Sequence, residues 1–139
     1  MDKSQAIKWN VIYAYTRQMA FDDGVLVDLM QPDFLELIRD AGIKIPVAMT
    51  AEAFHDYVKL SEKAKEACND IKGRLWDVLW MFRQEFLKRK NTKQDLREFL
   101  FQFLCVREQI EPELCTLKAV LGPGDTGELV ITLMHPWED

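Results

Sequence analysis

Among the residues able to do chemistry is the glycine-rich run Gly122-Pro123-Gly124-Asp125-Thr126-Gly127. A phosphate-cradling loop needs glycines, a helix N-terminus directly after them and usually a lysine. Here Asp125 and Glu128 add negative charge and a strand-like segment follows, so the run reads as a hairpin turn. The two histidines, His55 and His135, are far apart and neither belongs to a short His/Cys cluster of the kind that holds zinc. Asp22, Asp23 and Asp28 could face a hard cation, but they lack the alternating spacing of a calcium loop. Cys105 and Cys115 lie in apolar strand-like runs, where buried and inert thiols are expected. No serine sits in a G-x-S-x-G elbow, and with 23 acidic residues the presence of paired carboxylates discriminates nothing. The sequence therefore assigns no catalytic residue, no metal ligand and no cofactor. Two surface features remain. Arg83 to Arg97 carries a local balance of +4, which leaves −9 for the rest of the chain. A helix C-terminus with its solvated loop accounts for that charge as well as a phosphate or acidic partner does. Trp76 and Trp80 read as core aromatics, and become interface anchors if one faces outward.

Ile7 to Tyr15 is β-branched and aromatic, which suggests an extended piece. Thr16 can cap a short helix from Arg17 to Asp23 that Gly24 ends in a left-handed conformation. Val25 to Leu29 is a brief apolar connector. Pro32, with Asp33 and Glu36, opens a helix that Gly42 stops. Pro46 holds Ile45 extended, and Thr50 caps a further helix carrying Phe54, Tyr57 and Val58. Ser61 to Asp70 is polar, an exposed helix or helical connector. Leu75, Val78, Leu79, Phe82 and Phe86 then recur at helical spacing behind Gly73, the strongest periodic stripe in the chain. Lys88, Arg89 and Lys90 close that helix where cations meet its dipole favourably. The period next changes to two. Phe99 to Val106 reads as a strand with both faces largely covered, followed by alternating runs at Leu114–Leu121 and Leu129–Met134. The expected fold is α+β: several N-terminal and central helices packed on one face of a C-terminal antiparallel meander of about three strands, ending in a hairpin. The edges of such a sheet are open to pairing in a symmetric homodimer.

Size and composition are consistent with this. A chain of 139 residues, 48% hydrophobic and 29% charged, is expected to form one domain over residues 1–139, burying about two-thirds of its unfolded surface. The net charge of −5 offers no basic excess for counterion release, which argues against nucleic acid as a partner. No apolar run approaches the length of a membrane span, and no apolar signal core follows the first residues. With three cysteines, Cys68, Cys105 and Cys115, the expectation is a reduced, cytoplasmic protein.

Three stretches resemble the motifs of one family, in order and over most of the chain. The first is Tyr15-Thr16-Arg17, Ala20, Asp23-Gly24-Val25-Leu26-Val27-Asp28, Ala41-Gly42 and Pro46-Val47-Ala48-Met49-Thr50. The second is Gly73-Arg74-Leu75-Trp76-Asp77-Val78-Leu79-Trp80-Met81. The third is Gly122-Pro123-Gly124-Asp125 with Val130-Ile131-Thr132-Leu133-Met134, Pro136 and Glu138-Asp139. They are similar to an uncharacterised domain-of-unknown-function family of small proteins from bacteria, phages and mobile elements. The chain departs from that pattern at Leu129, at His135-Pro136-Trp137 and between Asn91 and Glu111. The resemblance implies a shared fold and a mobile-element setting, with no activity to transfer. Its motifs single out Tyr15, Arg17, Asp23, Asp28, Arg74 and Asp77 as binding candidates, with Asp125 beside them. Caps, turns and ion pairs account for the same residues, Arg74 and Asp77 being spaced i, i+3 near a helix start. The expected function is a non-enzymatic accessory protein that binds a host or phage protein. One alternative is an enzyme or small-ligand binder using those polar residues in a single pocket. Another is nucleic-acid binding through residues 83–97.

Overall fold

Thr16 begins a helix as its residue type requires, its hydroxyl accepting the Met19 amide. A computed structural model describes residues 15–59, 71–105 and 111–138 of the chain. The polar run from Ser61 to Asp70, and all but Tyr15 of the extended piece expected over Ile7 to Tyr15, lie outside the described residues. Helix α1 spans Arg17–Asp22, and Gly24 beyond it takes φ +76°, a conformation that L side chains rarely adopt. Strand β1 (Leu26–Asp28) follows, then α2 (Pro32–Asp40), which ends where Gly42 turns at φ +75°. Strand β2 (Val47–Thr50) runs straight into α3 (Ala51–Phe54), with Thr50 capping Ala53 at 3.3 Å. The helix widens into a π-helical turn, His55–Lys59. Helix α4 (Ile71–Asn91) is the longest element and starts before Gly73, not behind it. Strands β3 (Glu98–Cys105), β4 (Glu113–Pro123) and β5 (Leu129–Met134) complete the chain.

The sheet corrects the sequence expectation. The meander β3-β4-β5 is present and antiparallel, but among the described residues the sheet has five strands, in the order β1-β2-β5-β4-β3. Strand β2 joins β5 in parallel, Val47 opposite Ile131, and β1 pairs antiparallel with β2. Both added strands come from the N-terminal half, so the sheet is mixed and not purely C-terminal. The reason they were missed is physical. Strand β1 is too short to show a period, and all four residues of β2 are buried, so no alternation marks it.

Strand register sorts the side chains into two faces. Val47, Met49, Phe99, Phe101, Phe103, Leu117, Ile131 and Leu133 share the inner one, where α2, α3 and α4 pack. Phe82 of α4 stacks on Phe99 at 5.7 Å and meets Phe101 edge-on at 5.8 Å, while Phe34 of α2 meets Phe54 of α3. Helix α1 lies instead on the outer face, near Leu26, Thr132 and Met134. The far half of that outer face is open. Leu100 and Leu104 are 49% and 59% exposed, so β3 is covered on one face only, contrary to the reading of its apolar sequence. The glycine-rich run is the β4–β5 turn, as expected: Pro123 pairs with Leu129, and the Gly124 amide bonds the Glu128 carbonyl.

Candidate functional site

The first group of motif residues gathers where α1 meets the hairpin. The Tyr15 hydroxyl donates to Asp23 Oδ2 at 2.6 Å, and that bond raises the tyrosine pKa. The Asp125 carboxylate, carried in on the β4–β5 turn, accepts the Arg17 and Gln18 amides at 2.7 and 3.0 Å. Together with Thr16 it satisfies the first three helix N–H groups. Arg17 reaches under α1 to donate to Thr132 Oγ1 at 2.6 Å and to the Ile131 carbonyl at 2.9 Å. Burial lowers its pKa, opposed by the negative charges of Asp28, Asp125 and Glu128. Asp28 accepts the Met30 amide at 2.9 Å, a local turn bond. A cleft of about 390 Å³ opens beside Arg17, Thr50 and Asp125. Each polar motif side chain there is already engaged by the protein itself.

Arg74 and Asp77 lie elsewhere. They line a smaller cavity of about 150 Å³ with Tyr57, Phe103, Cys105 and Pro112. Arg74 is 6% exposed, while Asp77 keeps an exposed edge and its carboxyl is pushed above the ordinary range by partial burial. The two groups share no lining residue, so the six candidates do not meet in one pocket.

A third polar cluster was not expected from the sequence. The His135 ring is buried to 1% exposure and lies against Trp137 with centroids 4.3 Å apart, while Tyr57 meets it edge-on. Its Nε2 is 2.8 Å from Asp56 Oδ2. Glu138 gathers the Thr50 hydroxyl and the His135 amide on one carboxylate oxygen, and Lys118 donates to its carbonyl. The available signal was the period of β5. Ile131, Leu133 and His135 alternate inward, which places the histidine in the core. With so little of its ring exposed, it fastens the last residues to the π-helical turn. Among the described residues, no three His, Cys, Asp or Glu side chains are placed to hold a metal ion.

The surface of α4 is different. Trp80 faces outward, stacked on Trp76 at 5.7 Å, and the Arg83 guanidinium lies 5.3 Å from the Trp80 ring centre. Arg83 also passes over Gly42, where an added Cβ would stand 3.3 Å from its Nε. Beyond it a groove of about 330 Å³ runs between α4 and the Gly42–Ile45 segment. Ile43, Ile45, Phe86 and Leu87 supply apolar walls, Lys44, Arg83 and Lys90 supply cations, and among the described residues no carboxylate lines it. The basic stretch noted in the sequence is thereby divided. Arg89 is paired with Glu85 at 2.9 Å and Arg97 with Asp95 at 2.8 Å, while Arg83 and Lys90 belong to the groove.

Fold and surface together define a small α+β protein with a mixed five-stranded sheet, whose first described helix is tied to its last hairpin by polar contacts and whose longest described helix borders a cation-bearing apolar groove. Residues 5–139 match the model of a family of unknown function (DUF6573), and the chain belongs to that family. No curated protein and no solved structure matches it. No described helix is long and apolar enough to cross a membrane.

Proposed function

We propose that this is a non-enzymatic accessory protein of a mobile genetic element, a single cytoplasmic domain that acts by binding another protein. The observation that carries the reading is the groove beside α4. It combines an apolar lining, three cations without a carboxylate and an adjoining outward tryptophan with arginine on its face. Tryptophan and arginine are the residues most enriched among interface anchors. The cations select an acidic partner, so the fitting ligand is an acidic protein segment with apolar anchors. The mobile-element setting rests on the motif resemblance alone. A small-ligand site at Tyr15, Arg17, Asp23, Asp28, Arg74 and Asp77 has less support, because those residues form two groups and the first is internally bonded. Nucleic-acid binding through residues 83–97 is weakened by the ion pairs at Arg89 and Arg97.

Affinity capture from the native host, read by mass spectrometry, tests the proposal. Wild type is expected to recover a partner that a folded Trp80→Ala, Lys90→Glu variant loses by at least about 30-fold, the effect of one interface anchor. Recovery of nothing above background by the abundant folded protein would overturn it, as would equal recovery by the variant.

A further inference from the structure

A second surface lies on the opposite flank of α4, along β3. This strand ends the described sheet, and its ladder with β4 fixes which backbone groups are free. The Leu121 amide donates to the Arg97 carbonyl, so Arg97 and Leu121 form a hydrogen-bonded pair. In an antiparallel ladder the bonding direction alternates by residue. Phe99, Phe101, Phe103 and Cys105 therefore turn their N–H and C=O groups toward β4. Glu98, Leu100, Gln102 and Leu104 turn theirs outward, away from every described strand.

Natural edge strands are protected by lysine, proline, bulges or shortness. Strand β3 has none of these. It is eight residues long in continuous register, and its single charge, Glu98, stands at its start. Its centre, Leu100-Phe101-Gln102-Phe103-Leu104, reads the same in both directions. A two-fold axis brings residue i of one copy to residue j of the other and the reverse, so this palindrome makes every pair across the axis a match of like with like. An axis through Gln102 places Leu100 opposite the partner's Leu104 on the outer face and Phe101 opposite the partner's Phe103 on the inner one. The outward N–H and C=O groups of Leu100, Gln102 and Leu104 then exchange about six hydrogen bonds. The edge is also accessible from the helix layer. Met81, Gln84, Glu85 and Lys88, one stripe of α4, border an open groove of about 720 Å³ that reaches Leu100, Gln102 and Thr116. The stripe carries one charge of each sign, so a second copy of it meets no uniform repulsion.

We infer that β3 pairs with β3 of a second copy of this chain, antiparallel and centred on Gln102, to make one continuous sheet across a symmetric homodimer. The surface is separate from the groove proposed to bind a protein partner, and neither reading depends on the other.

Sedimentation equilibrium of the full chain from about 1 to 100 μM is expected to give twice the 16.3 kDa chain mass at the upper end. Gln102→Pro removes an outward N–H and leaves the β4 ladder intact, a placement edge strands tolerate. This variant is expected to stay folded by circular dichroism and to sediment as a monomer, its dimer constant weakened by at least about 100-fold. Amide hydrogen exchange of wild type gives a readout that needs no variant. Protection at Leu100, Gln102 and Leu104 is expected to rise with protein concentration, while that at Phe101 and Phe103 stays high throughout. A wild-type chain that remains monomeric over the whole range would overturn the inference. So would a dimer whose Leu100, Gln102 and Leu104 amides exchange freely.

Discussion

Helix α1 has only six residues, well below the length at which a helix holds itself together, so its ends must be secured from outside. The Asp125 carboxylate does this across 108 residues of sequence, accepting the two amides that Thr16 does not reach. Replacing Asp125 by alanine removes two charge-assisted hydrogen bonds and the negative charge facing the helix N-terminus. Capping substitutions cost about 0.5–2 kcal/mol and the dipole adds about 0.3–1 kcal/mol at exposed sites. Because Asp125 is solvent-exposed, the expected loss is about 1.5 kcal/mol, or about 5 °C in Tm for a domain of this size. Asp125→Asn keeps one acceptor oxygen and is expected to lose about half as much. Thr16→Ala combined with Asp125→Ala is expected to cost less than the two separately, since both hold the same turn. Thermal unfolding followed by circular dichroism measures all four. If Asp125→Ala stays within about 1 °C of wild type, the long-range cap contributes nothing and the account of the signature turn fails.

Two further predictions concern the core and the charged loop before β3. Phe82→Ala removes the ring that joins α4 to Phe99 and Phe101, and is expected to destabilise the protein by about 3–5 kcal/mol in urea denaturation. A loss below about 2 kcal/mol would mean that α4 does not close the core there. The Asp95 carboxyl is lowered to about 2 by its side-chain hydrogen bond with Arg97 and by the Arg97 amide. Because the folded value is depressed, its contribution is present above the ordinary value of 3.8 and is lost as pH falls toward about 2. A ¹³C NMR titration is expected to place its midpoint near 2 in wild type and nearer 3.8 in Arg97→Gln. A wild-type midpoint near 3.8 would refute the contact.

How far the sequence could be read depended on how many residues carried each signal. The α4 stripe and the alternation of β4 span many positions, and each lies within an element of the expected type whose bounds run somewhat further. Caps were legible for a local reason: Thr16, Gly24, Pro32, Gly42 and Thr50 each act within a few residues of themselves. Strands β1 and β2 were not legible, because β2 owes its existence to pairing with β5, some eighty residues away, and the three-residue β1 to pairing with β2. Strand β3 misled for a related reason. Its outward Leu100 and Leu104 look like core residues in sequence, and only the sheet order reveals that they face solvent.

The same distinction applies to the site. Tyr15, Arg17, Asp23, Asp28 and Asp125 stand out as polar residues within apolar motifs, which is how binding residues look in a linear sequence. In three dimensions, Arg17 and Asp125 connect the first described helix to the last hairpin, Tyr15 bonds Asp23 from one end of that helix to the other, and Asp28 bonds within its own turn. The groove beside α4 follows different logic. Lys44 and Ile45 come from one loop and Arg83 and Lys90 from a distant helix, so no motif spans it. A residue that holds the fold together is constrained by its bonding partners inside the chain. Lys90 lines the groove and takes no part in those contacts, so under the proposed function a capture experiment is expected to discriminate at Lys90 and not at Arg17.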